Sequence, residues 1–146
     1  MGLPVAGVGT LDALAAGIAA SEGGGERERL PLLDARRGEV FAALYSAAGE
    51  RLWGPWVGGP QELRDRLPER PETPLAAGSG ALRFRDELAD GGIEILDGAD
   101  DAHRVAARHI CDLAEAGATV APLAPLYLRR PDAERWRERD TADKSR

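Results

Sequence analysis

The sequence is poor in chemically specialised side chains: it has one cysteine, Cys111, one methionine and two histidines in 146 residues. A single thiol excludes an internal disulfide and a cysteine-based zinc site. Aromatic residues are scarce, at 5%. With Ala, Gly, Arg and Pro filling much of the chain, the expected core is thin, built from small side chains and open to completion by another lobe or subunit. Positive charge is not in excess, since 25 acidic against 19 basic residues give a net charge of −6. A phosphate-binding surface needs a concentrated basic face, so unaided nucleic-acid binding is not expected. No apolar run approaches the roughly 20 residues that span a bilayer. The N-terminal stretch also lacks the basic region and long apolar core of a secretion signal. The expectation is a cytoplasmic chain forming one domain, or one lobe of a larger fold.

What is present is an alternation of short strand and helix signals. Pro4 to Val8 reads as a short strand and Thr10 as the N-cap of a helix in which Leu11, Leu14, Ala15 and Ile18 share a face. Gly23-Gly24-Gly25 and the charged run Glu26 to Arg29 read as a flexible loop. Leu30 to Ala35, Glu39 to Ser46 and Arg51 to Val57 read as three strands, the first two joined by a tight turn at Arg36-Arg37-Gly38. Pro60 opens a helix with Leu63 and Leu67 on one face, and Pro68 to Pro74 is a connection. A strand at Leu75 to Ala77 runs into Gly78-Ser79-Gly80 and a helix through Leu82, Phe84 and Leu88, stopped by Gly91-Gly92. Ile93 to Leu96 is one more strand. The longest helix is expected over Asp101 to Gly117, capped by Asp100 or Asp101, with Val105, Ala106, Ile110, Leu113 and Ala114 on one face. Pro122 to Pro131 reads as extended, and the charged stretch Asp132 to Arg146, with Trp136 its apolar exception, as frayed.

Three strands followed by alternating helices and strands is the order of a ribonuclease-H-like domain; two such lobes in tandem make the actin-like ATPase (ASKHA) fold. The expected class is therefore α/β, a single ribonuclease-H-like lobe of that fold with the N-terminal lobe missing. Residues 1–29 would be a residual strand and helix from the absent lobe, 30–121 the C-terminal lobe, and 122–146 a proline-rich segment and charged tail.

The candidate chemistry is thin. Gly7-Val8-Gly9-Thr10 could cradle a phosphate, but it lacks both the third glycine of a dinucleotide loop and the Lys-Ser/Thr of a P-loop, so a structural turn is expected. His103 and His109 lie six residues apart on the expected helix, about 120° around its axis, and cannot share a metal; each is expected at the surface or half-buried. Cys111 is expected to be buried as a small apolar group. Asp34, Glu39 and Asp97, with Asp100 and Asp101 nearby, could hold the two metal ions of a nuclease. Arg36 and Arg37 would oppose such a cluster, and the hairpin reading is preferred: Asp34 accepts turn amides while Glu39 pairs with an arginine. Ser79 stands between two glycines without a histidine partner in any triad pattern. Arg129 and Arg130 are the tail's best candidates for phosphate or carboxylate contacts, with a solvated basic pair the preferred reading.

Three stretches together resemble one family. Leu3-Pro-Val-Ala-Gly-Val-Gly-Thr-Leu-Asp-Ala-Leu14, Leu33-Asp-Ala-Arg-Arg-Gly-Glu-Val-Phe41 and Pro125-Leu-Tyr-Leu-Arg129 are similar, in order and spacing, to the bacterial TsaB (YeaZ) proteins. Gly9 stands where serine is common and Phe41 where tyrosine is. The resemblance implies a subunit without a catalytic site of its own, older glycoprotease naming notwithstanding. Such a subunit pairs with a TsaD-like paralogue and works with a TsaE-like ATPase in tRNA processing, supporting threonylcarbamoyladenosine formation beside the anticodon. It implies no cofactor in this chain, any adenine nucleotide belonging to the full-length family complex. It assigns structural or interface roles to Asp34, Arg36, Gly38, Glu39, Tyr127 and Arg129. The Asp-Thr-Ser phosphate loop and the Gly-Pro-Gly-Ser-Phe-Thr-Gly-like stretch of the family's first lobe do not occur, so the resemblance is to the C-terminal half. A strand and helix separated from their own lobe would expose an apolar face, so self-association is expected; light scattering showing a monomer with a cooperative melt would contradict it.

Overall fold

The computed structural model describes residues 5–117 and 124–129. Strand alternation decides how its sheet is covered. In β1 (Arg29–Arg36) and β2 (Glu39–Tyr45), Leu30, Leu32, Val40, Ala42 and Leu44 point to one face. Leu33, Phe41, Ala43 and Tyr45 point to the other. The first face receives Leu63 of α2 (Pro60–Arg66), Ala81 of α3 (Ser79–Arg83) and Leu88 of α4 (Arg85–Asp90). The second is covered by Leu11 and Ala15 of α1 (Thr10–Ala20), and α5 (Ala107–Gly117) packs against α1. Adding β3 (Arg51–Gly58), β4 (Leu75–Ala77) and β5 (Glu94–Ile95) gives a five-stranded mixed sheet in the order β3-β2-β1-β4-β5. β1, β2 and β3 are antiparallel neighbours, while β4 and β5 run parallel to β1. This mixed α/β arrangement is consistent with a ribonuclease-H-like domain of the actin-like ATPase type.

The three-strand meander, the proline at the start of α2 and β4 lie where the sequence puts them, but several elements differ. Residues 5–9 form no strand, having no ladder partner among the described residues; Pro4 lies outside them. Thr10 is the first helical residue and Gly9 the N-cap, without a side-chain cap. The helix expected through Leu82 to Leu88 breaks at Phe84 (φ −109°, ψ 28°), whose ring packs on the core. The long helix expected from Asp101 breaks too. Asp100 caps a 3-10 turn, Asp101–His103, by accepting the Ala102 amide, and Arg104 is extended, so Val105 and Ala106 precede α5. Ile110 is exposed on α5, and the buried residue there is His109, whose ring lies over Gly17 of α1. Cys111 is exposed rather than buried, because that side of α5 meets no described residue that would cover it. Residues 124–129 are irregular; the rest of the expected extended segment and the tail from Asp132, with Trp136, lie outside the described residues.

Two buried polar side chains hold the connections, and neither was expected inside. The loop read as flexible is pinned by Arg29, whose Nε donates to the Gly24 carbonyl (3.1 Å) and whose Nη2 donates to those of Gly25 (3.2 Å) and Ala47 (2.5 Å). Arg27 ties the same loop across to Thr73 O and Glu94 Oε2, each at 2.8 Å. His103 is 7% exposed, not half-buried. Its Nδ1 accepts the Gly78 amide (3.0 Å), which leaves the proton on Nε2 to donate to Asp97 O (2.9 Å). Gly78 has φ 118°, and a Cβ there would sit 2.1 Å from Leu32 O, so no other residue fits this turn. Arg29→Met and His103→Leu, which orphan buried backbone groups, are each expected to cost about 1–3 kcal/mol in chemical denaturation; an unchanged midpoint would show that the connections do not rest on them.

Candidate functional site

The β1–β2 hairpin collects most of the residues singled out in the sequence. Arg36 pairs with Glu39 across a two-residue loop, Arg37-Gly38, and the register shifts between Asp34 and Arg36, as at a β-bulge. Arg36, Arg37 and Gly38 have φ of 63°, 58° and 79°. The loop positions match the left-handed turn that a two-residue hairpin demands.

Asp34 organises the turn. Its Oδ1 accepts the Arg36 amide (2.8 Å) and its Oδ2 accepts Arg83 Nη1 (2.9 Å), with Arg36 Nη1 3.7 Å away. The Arg36 amide first, and then the Arg83 guanidinium, hold the Asp34 carboxyl below the usual carboxylate range. The Asp34 amide in turn donates to Ser79 Oγ (3.1 Å), so Ser79 serves the join between β1 and α3. Glu39 pairs with Arg129, which also donates to Ala35 O at 3.0 Å. The segment 124–129 is thereby strapped to the hairpin, and Arg129 is not a free solvated cation. Tyr127, at 78% exposed, points away and does not join the cluster. Arg83 was not singled out from sequence. It is 49 residues from Asp34, and no local spacing announces the contact.

A second feature lies on the α1 face. A cleft of about 610 Å³ is lined by Leu33, Phe41, Leu126 and Leu128 and by residues 7–12, which lead into α1. Tyr45 donates its hydroxyl to Asp12 Oδ1, and Arg51 stands 3.8 Å from the same oxygen. Burial, reinforced by the Asp12 carboxylate, pushes the Tyr45 phenol up. At Gly9, a Cβ would lie 2.1 Å from Asp12 Oδ2, so the Asp12 carboxylate of the first helical turn stands against this glycine.

The nuclease set does not assemble. Asp34 and Glu39 face arginines, while Asp97 lies beyond β5, two strands from β1 and so about 10 Å across the sheet. Its carboxylate accepts the Ala99 amide. Among the described residues, no three His, Cys, Asp or Glu side chains gather as a metal cluster, and no helix is long and apolar enough to cross a membrane.

The chain is similar to an uncharacterized Pseudomonas aeruginosa protein that has similarity to the peptidase YeaZ. The TM-score is 0.58 and the identity 26%, over 86% of this chain and 59% of that one. The fold is YeaZ-like. No family model and no curated protein matches the sequence. The chain spans about three-fifths of the length of that structure.

The depressed Asp34 gives a pH signature. A carboxyl whose folded pKa lies below its unfolded value contributes stability that is full above the unfolded value and is lost as pH falls through the folded one. Asp34→Asn keeps an oxygen for the Arg36 amide but removes the charge. It is expected to be less stable than the parent at pH 7, with the two melting curves converging below about pH 4. A gap that is constant from pH 7 to pH 2 would show that the Asp34 charge does not brace the hairpin.

Proposed function

We propose that this chain is a non-catalytic, TsaB-like subunit of a tRNA-modifying assembly. In this reading it pairs with a TsaD-like protein, with a TsaE-like ATPase as third component. It supports threonylcarbamoyl transfer to the tRNA adenosine beside the anticodon, acts in the cytoplasm and carries no catalytic residue. The observation that carries the reading is the 26% identity to a YeaZ-similar protein over 86% of this chain. The chemistry of the hairpin agrees with it. Its two carboxylates are spent on arginines that fasten strand, turn and strap, which suits a surface presented to a partner better than a site for hydrolysis. Asp34, Gly38, Glu39 and Arg129 keep that surface in shape, and exposed Arg36 and Tyr127 are offered to the partner.

The test is reconstitution. The tagged chain, co-expressed with the TsaD-like and TsaE-like proteins of the same cells, is expected to co-purify with the TsaD-like protein and to raise threonylcarbamoyladenosine formation on tRNA in vitro. Unchanged formation without the chain, together with no co-purification, would overturn the proposal.

A further inference from the structure

We propose that the tip of the β1–β2 hairpin is a docking point for an acidic protein segment, whose carboxylates are taken by Arg36 and Arg83. Arg36 and Arg37 both occupy the left-handed region, where a Cβ is disfavoured. The bulge position is ordinarily glycine, and the first position of such a loop is ordinarily Asn, Asp or Gly. Arginine is therefore a poor residue for the turn itself.

Nor does the fold use the Arg36 side chain to any extent. It is 81% exposed, and its contact with Asp34 is long, at 3.7 Å, the kind of surface pair that contributes little. A residue that strains the backbone without bracing the fold points to a role outside it. Arg83 supplies the second half of the site. It binds the same Asp34 oxygen at 2.9 Å, remains 47% exposed, and has its guanidinium 5.5 Å from the centre of the Phe84 ring, which helps to fix its position. Two guanidinium groups thus share one carboxylate, leaving a net positive charge and unused N–H donors directed at solvent.

The same local charges select the partner. A nucleic-acid backbone needs a series of cations along its length, whereas here Asp34 and Glu39 stand within the patch and the chain as a whole carries −6. Separate carboxylates on flexible stems can reach Arg36 and Arg83 without closing on those two acids. The inference rests on the hairpin geometry and not on the tRNA-modification reading, so each can fail without the other.

The probe is a fluorescein-labelled hexaglutamate peptide, titrated with the full chain at low salt and followed by polarisation. A uridylate oligomer of equal charge is the comparison. Saturable binding of hexaglutamate is expected, weakened about three- to tenfold by Arg36→Asn and similarly by Arg83→Gln. Because Asn accepts the left-handed conformation, R36N is expected to melt at the parent temperature or above it. Absence of peptide binding, undiminished binding by both variants, or tighter binding of the uridylate would overturn the proposal. So would a lowered melting temperature for R36N, which would make Arg36 a residue of the fold.

Discussion

β1 is hydrogen-bonded along both edges and covered on both faces, and the other elements take their positions from it. Leu30 and Leu32 are fully buried toward α2, α3 and α4, while Leu33 turns toward α1. A slip of one residue would exchange the two sets and turn every side chain to the opposite layer. Packing therefore fixes the register with β2 and β4, and the register fixes where the strand ends. Asp34 comes to the end of the strand beside Ser79 because Leu32 must lie in the core and Gly78 must pass against its carbonyl.

From that fixed point the hairpin is organised by charge rather than by apolar contact. Asp34 answers to the Arg36 amide and to Arg83, and Glu39 to Arg129. The carboxylates that could have formed a metal site in a related fold are here the anchors of a turn. The ion pairs that hold these carboxylates leave a shaped, charged surface, and so both the accessory-subunit reading and the docking proposal turn on one end of the sheet.

The fold was legible in sequence where the signal is local. The apolar run Leu30 to Ala35, the β-favouring residues of Glu39 to Ser46, the glycine after two arginines, and Pro60 at a helix start each act within a few residues. What could not be read depends on distant partners. His103 is inside because the Gly78 amide, 25 residues away, needs an acceptor. Arg29 is inside because Gly24, Gly25 and Ala47 present carbonyls to it, although a charged residue after a glycine run reads as loop. The continuous helix expected over Asp101 to Gly117 failed for the same reason, since turning His103 inward breaks the helical path at Arg104. At the candidate site, Asp34 and Glu39 were visible as a pair, but Arg83 and the Ala35 carbonyl were not, because helix packing and the strap bring them there.

The strap also bears on how the chain is made. Glu39 and Arg129 are separated by 90 residues, and Ala35 and Arg129 by 94. During synthesis the amino-terminal part emerges first, so the meander and β4 can leave the ribosome and pair while Arg129 is still unmade. Ala35 and Glu39 must then wait in water with their partner absent. The order of synthesis thus sets the order of assembly: sheet first, fastening last.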